Sequence, residues 1–255
     1  MKRVWIVLVL SGALCCLLLW HLPATLFGTF VNRACGDECR LIARAGAFWR
    51  GQGTLYARSR AGGRWITLGS LDWRFGLREG NWSPQLALEL NGGALWVQGT
   101  LFGWEAKADR LKLPAQVVLA RVGHGLPNAG WGGVLYFERG QYSEGWEGRS
   151  PSGQGRVYWL RARTAALSDR KLGDYRFDWR SRPTKKMQVR IVSEPGDGVL
   201  KLTGEARVQA QDFHFKGDAE VSRTDETALI SMLGTVGRPL VSEGRTRRFS
   251  LQWPR

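Results

Sequence analysis

The chain has 255 residues, with 37 Lys and Arg against 22 Asp and Glu, for a formal net charge of +15. Apolar residues make up 44% and tryptophan alone fills 13 positions, too much for a disordered tail, which lacks the apolar surface to offset chain entropy. The cationic excess ordinarily suggests nucleic acid, but the location read from the first residues excludes that partner.

Met1-Lys2-Arg3 precedes an uncharged run from Val4 to Trp20, with Trp5 and Trp20 near its ends. Extended by the softer stretch after Leu22, the run reaches the roughly 20 residues that a spanning helix needs, and amphipathic indole rings favour the two interfaces. Residues 4–27 are therefore predicted to form a transmembrane helix. The rival reading, a cleaved signal peptide, needs a small-residue cleavage site, and only Leu22-Pro23-Ala24 comes near one. A lipoprotein-type site fails because bulky residues precede Cys15 and apolar ones follow Cys16.

Lys2 and Arg3 lie before the run and no basic residue follows it until Arg33. The positive-inside bias then makes residues 1–3 a cytoplasmic stub and puts the bulk of the chain in the periplasm, tethered to a bacterial inner membrane as a single-pass protein. The acidic partners on that side are lipid head groups, lipopolysaccharide and acidic protein surfaces, and a cation near an anionic membrane gains about 1 kcal/mol. The plainer reading is a set of solvated outward strand positions, since Arg supplies most of the charge.

Residues 28–45 read as a periplasmic linker. It carries Cys35-Gly36-Asp37-Glu38-Cys39, where an oxidising compartment favours a short-loop disulfide, with free thiols as the second reading. A lone CxxxC pair is a weak metal signal, because zinc takes four ligands and no His is nearby.

From residue 46 to 255 the pattern is strand-like, with apolar and polar residues alternating. Leu71, Trp73, Phe75 and Leu77 alternate with Asp72, Arg74, Gly76 and Arg78, and Leu86, Leu88 and Leu90 continue the pattern. Tyr175, Phe177 and Trp179 then alternate with charged neighbours, followed by Met187, Val189 and Ile191. The longest stretch runs from Leu200 through Val221, and Phe249, Leu251 and Trp253 close the chain. The fold class is mainly β: a long antiparallel meander, expected to form a curved, groove-like sheet. Pro114 to Val122 and Asp225 to Leu233 are predicted short helices, the first from Pro at a helix start. The Gly123 to Gly133 stretch is a candidate division of the β domain into two halves.

Catalytic signatures are missing. His21, His124 and His214 are far apart, and none has a metal-ligand neighbour. No nucleophile elbow, Walker loop or dinucleotide fingerprint occurs, and Gly148-Arg149-Ser150-Pro151-Ser152-Gly153 reads as a turn. The expectation is a non-enzyme with no catalytic, metal or cofactor site. Trp49, Trp73, Trp96, Trp159 and Trp179 are read first as core and second as a recognition surface.

Several phrases carry a resemblance. Gly46-Ala47-Phe48-Trp49-Arg50-Gly51 resembles the Gly-x-x-Trp-x-Gly signature of type II secretion system protein N, the general secretion pathway N component. Leu68-Gly69-Ser70-Leu71-Asp72-Trp73 resembles that family's next strand, Leu111-Lys112-Leu113-Pro114-Ala115 its Leu-x-Leu-Pro-Ala step, and Leu172-Gly173-Asp174-Tyr175 its Leu-Gly-x-Tyr strand. Leu229 to Gly234 is similar to its terminal helix, while Cys35 to Cys39 lies outside its pattern. The resemblance implies an accessory subunit of the type II secretion machine, linking the inner-membrane platform to the outer-membrane secretin, with other subunits as partners and no catalytic residues. It also implies kinship with AsmA-like proteins, whose meanders curl into a groove with an apolar inner face. That kinship supplies the alternative function, binding or conveying lipid.

Overall fold

A computed structural model describes residues 21–58, 63–77, 83–119, 130–146, 151–165, 170–182, 186–209, 212–222, 227–240 and 246–253, with Trp5, Ser11, Leu17 and Leu18 as single points before them. The stub at 1–3 and 13 of the 24 residues of the predicted anchor lie outside the described residues. Among those residues no helix is long and apolar enough to cross a membrane.

The chain enters through helix α1 (Ala24–Cys35). Strands β1 (Cys39–Ala47), β2 (Arg50–Arg58), β3 (Trp65–Leu77), β4 (Pro84–Leu90), β5 (Gly93–Gly99) and β6 (Gly103–Pro114) follow. A short helix α2 (Ala115–Leu119) leads towards β7 (Trp131–Gly145), β8 (Ser152–Thr164), β9 (Lys171–Arg182) and β10 (Lys186–Ser193). Then come β11 (Leu200–Gln209), β12 (Asp212–Val221), helix α3 (Thr227–Val236), β13 (Gly237–Pro239) and β14 (Arg247–Trp253). All fourteen join one open antiparallel sheet in sequence order, except that β14 pairs with β12 and leaves β13 at the edge.

Period-two patterning makes the sheet two-faced. One register line on the apolar face runs Phe75, Leu86, Val97, Ala106, Tyr142 across β3 to β7. A line on the other face runs Arg74, Ala87, Trp96, Lys107, Gln141, Gln154, Arg180, Gln188, Arg207, His214 from β3 to β12. A slip of one residue would exchange the two sets, so burying the apolar line fixes the register.

The apolar face is covered at its two ends. Phe27, Leu41, Leu71, Trp73, Leu90 and Leu111 form one buried cluster, and Leu172, Tyr175, Val221, Leu229, Leu233 and Phe249 belong to the other. Helix α1 closes the first and helix α3 the second.

The first residues depart from the sequence-based boundaries. Phe27, expected at the end of the anchor, is 2% exposed, and its ring centroid lies 4.7 Å from that of Trp73. Residues 28–45, expected as a linker, hold most of α1 and most of β1. The reason is amphipathicity: Ala24, Phe27 and Gly28 are buried along one side of α1 and Val31 packs on the same cluster, at the helical spacing that makes a core-facing stripe. Cys35 and Cys39 close a disulfide between α1 and β1, with Cα atoms 5.4 Å apart.

The two predicted short helices correspond to α2 and α3, α2 beginning one residue after Pro114. At the candidate division near 123–133 the backbone pairing is continuous, because β6 and β7 are paired from Gly103 with Gly145 to Pro114 with Val134. The two apolar clusters, rather than a break in the sheet, distinguish the halves.

Candidate functional site

The phrases that carried the resemblance fall into two packed sets. Ala47 pairs with Arg50, so Phe48 and Trp49 form a two-residue hairpin turn between β1 and β2. Gly46 has φ 101°, a left-handed conformation that favours glycine, and its register partner is Gly51. A Cβ on Gly51 would come within 2.5 Å of the Trp73 indole. That indole is buried, and its Nε1 donates to the Phe48 carbonyl at 3.0 Å. Gly46 thus lets the two hairpin strands approach closely, and the missing side chain of Gly51 admits the Trp73 ring from β3. Trp49 is partly exposed and meets Phe48 and Phe75 edge-on. Leu68 accepts a hydrogen bond from the Asn91 amide on its carbonyl, and Gly69 leaves the space that the Asn91 side chain fills.

Leu172, Gly173 and Tyr175 make the second set. Leu172 and Tyr175 are buried, and the Tyr175 hydroxyl donates to the Leu200 carbonyl at 2.9 Å, tying β9 to β11. Burial, helped by the nearby Asp174 carboxylate, pushes the Tyr175 hydroxyl well above the usual phenol range. Asp174 accepts the backbone N–H of Arg161, which has φ 51° at an irregularity of β8. Leu113 and Pro114 end β6 and hand the chain to α2. The two sets are not brought together. They fix the two ends of the sheet.

The surface with chemical character is the other face. A trough of about 1100 Å³ opens there across β6 to β11. Its walls alternate in sign: Arg139, Arg156, Arg190 and Arg207 line it together with Asp178 and Glu205. Arg156 lies at the centre, 2.7 Å from Asp178 and 3.3 Å from Glu138. Arg176 joins the same Asp178 at 3.1 Å and Glu194 at 3.0 Å. Partial burial works to raise the Asp178 carboxyl, but the hydrogen bonds and charges of Arg156 and Arg176 outweigh it and hold the group below the usual carboxylate range. The Arg156 guanidinium is correspondingly pushed up by Asp178.

This is a ladder of cross-strand ion pairs, most of them partly exposed, and such pairs contribute about 0 to 1 kcal/mol each. Among the described residues no group of three or more His, Cys, Asp or Glu could hold a metal ion. The trough presents paired charges of both signs at the surface of this face.

Residues 44–247 match the model of the family described as type II secretion system (T2SS), protein N. The chain belongs to this family. No curated protein and no solved structure significantly matches the chain. The protein N match runs from within β1 to the first residue of β14, so it covers β2 to β13 and both motif sets. An accessory subunit of type II secretion is the role that goes with this family.

Sequence reasoning missed the trough. The alternation of charged residues on β6 to β11 was visible, but only register shows that Arg156 of β8 stands beside Asp178 of β9. Of the five tryptophans read as core, Trp73 is buried and Trp159 half-buried, its Nε1 donating to the Gly132 carbonyl at 2.9 Å. Trp96 lies instead on the charged face, opposite Lys107.

Proposed function

We propose that the chain is a non-catalytic accessory subunit of the type II secretion system, anchored by its first residues in the bacterial inner membrane with the sheet in the periplasm. Its role there is to assist assembly or linkage between the inner-membrane platform and the outer-membrane secretin during export of folded periplasmic proteins. The observation that carries this reading is the family match across residues 44–247. The two-ended packing and the charged trough support it, because they give a long, rigid surface suited to protein contact. Electrostatic complementarity at such a surface sets orientation and encounter rate more than affinity.

The test is crosslinking in intact membranes followed by identification of what is captured. Secretion platform or secretin subunits are expected, and capture of none of them would count against the reading.

A second reading, an AsmA-like protein that binds or conveys lipid, is favoured by one observation. Between the two covered ends the apolar face carries half-buried residues, among them Leu95, Val97, Ala106 and Val189. Lipid co-purifying with the detergent-extracted chain, lost on Val97→Asp, would support it. Mass spectra free of lipid would remove it.

A further inference from the structure

Antiparallel pairing sends every second turn of the meander to one end of the sheet. The β1–β2 and β5–β6 turns share that end with the last residues of β3 and β7. Leu77 pairs with Pro84, and Gly99, Trp104 and Glu144 continue that level across β5, β6 and β7. At or just beyond it stand Leu77, Leu101, Phe102 and Trp146, which are 58%, 91%, 85% and 64% exposed.

Single exposed apolar residues need no explanation, but these cluster. Leu101 and Phe102 also occupy a tight turn, where Gly, Asn, Asp and Pro are the usual residues. The tip is held in place: Trp146 donates from its backbone N–H to the Phe102 carbonyl and from Nε1 to the Thr100 carbonyl, each at 3.2 Å. The indole has thus satisfied its one polar group on the neighbouring turn and presents its ring to the outside.

The chain enters the fold at this same end. Phe48, in the first turn, donates its backbone N–H to Leu22 at 2.7 Å, and Pro23 bridges Ala47. Immediately before Leu22 lies the uncharged run from Val4 to Trp20. Inserting that run in a bilayer brings the end of the sheet that bears Leu101, Phe102 and Trp146 towards the same bilayer.

We propose that this rim of turns seats in the interfacial layer of the membrane, with Leu101, Phe102 and Trp146 among the head groups and upper acyl chains. Leu, Phe and Trp are the residues that favour this layer. Exposed Arg50, at the start of β2, is placed to meet anionic head groups. The sheet would then stand on the membrane as a two-point mount, tether plus rim. A tether alone would leave it free to swing. The inference rests on the anchored reading under Proposed function.

The test uses the full chain reconstituted in vesicles of phosphatidylethanolamine and phosphatidylglycerol. Cys15 and Cys16 are replaced by alanine, and one spin label is attached at Phe102→Cys, Leu101→Cys or Trp65→Cys, the last on the opposite end of β3. A fourth chain keeps Cys16 as the labelled site and carries only Cys15→Ala. Accessibility to oxygen, which partitions into lipid, is compared with accessibility to a water-soluble nickel chelate. The expected result is that positions 101 and 102 favour oxygen, as Cys16 does, while position 65 favours the chelate. Chelate-favouring labels at 101 and 102 with an oxygen-favouring Cys16 would overturn the rim and leave the anchor standing. A chelate-favouring Cys16 would overturn both. Labels at 101 and 102 shielded from both reagents would mean a protein contact and would also overturn the proposal.

Discussion

The side-chain amide of Asn32 pairs with the backbone of Leu41. Its Oδ1 accepts the Leu41 N–H at 2.6 Å, and its Nδ2 donates to the Leu41 carbonyl at 3.3 Å. Leu41 lies in β1, the first strand of the sheet, so a side chain from α1 takes the place of a neighbouring strand. Unpaired edges invite other chains to add on, and at this point the edge is already satisfied. The far edge, β13, has three residues and ends in Pro239. These two devices turn attention from strand addition to the faces and turns as working surfaces.

Replacing Asn32 with Ala leaves both Leu41 groups unpaired in a partly buried place. The expected cost is about 1 to 3 kcal/mol, the usual penalty for a desolvated unpaired group, read as a lower denaturant midpoint with an increased tendency to self-associate. Asn32→Asp keeps the acceptor and loses the donor, and should fall between Ala and the native residue. Equal midpoints for all three chains would remove the capping role.

Gly51→Ala tests the hairpin packing, because the added methyl would meet the Trp73 ring. Overpacking of this kind costs about 1 to 3 kcal/mol. In a Trp73→Phe background the ring no longer reaches so far, and the cost of Gly51→Ala should shrink by about 0.5 kcal/mol or more, the size of coupling found between contacting residues. Additive effects of the two substitutions on thermal midpoints would show that the contact has no energetic weight.

How much of this was legible in the sequence depended on whether the signal was local. Trp73, Phe75, Tyr175 and Phe249 alternate with polar residues, and period-two patterning alone put them on strands facing a core. Pro114 marked a helix start to within one residue. Phe27 was misread because Leu22 to Val31 is apolar enough to extend a membrane run, and whether such a helix meets lipid or a sheet depends on Trp73, forty-six residues away. The Arg156 to Asp178 ion pair and the rim at Leu101 and Trp146 depend on pairing between distant strands, to which local patterning is blind.

Acid should reveal the Asp178 network. Its folded carboxyl is held below the ordinary value, which in an unfolded chain is about 3.9, so the unfolded state takes up the proton first as pH falls. The stabilisation from Asp178 is therefore fully present above about pH 4 and fades as pH drops towards the folded value. Asp178→Asn should lower the denaturant midpoint at pH 7, and the gap from the native chain should narrow by pH 3. A gap independent of pH would mean that the carboxylate charge is not what stabilises the fold here.

The Cys35 to Cys39 bridge predicts that the folded, unreduced chain resists alkylation at these two positions, and that both react after reduction. Mass mapping of the peptide from Asn32 to Arg40 reads this directly. Because the bridged loop is short, little chain entropy is removed from the unfolded state, and Cys35→Ser with Cys39→Ser should leave the fold intact with a modestly lower midpoint. Alkylation at both cysteines before reduction would show free thiols instead.

The central claim is that this chain serves type II secretion. The direct measurement is export of a folded periplasmic enzyme by cells deleted for this chain, with the full chain or one carrying Gly51→Trp, which the Trp73 pocket cannot accommodate, supplied in trans. The account predicts that secreted activity falls on deletion, with the enzyme retained in the periplasm, and returns with the native chain but not with the disrupted one. Unchanged secretion on deletion, in cells whose other secretion components are shown to be required, would contradict it.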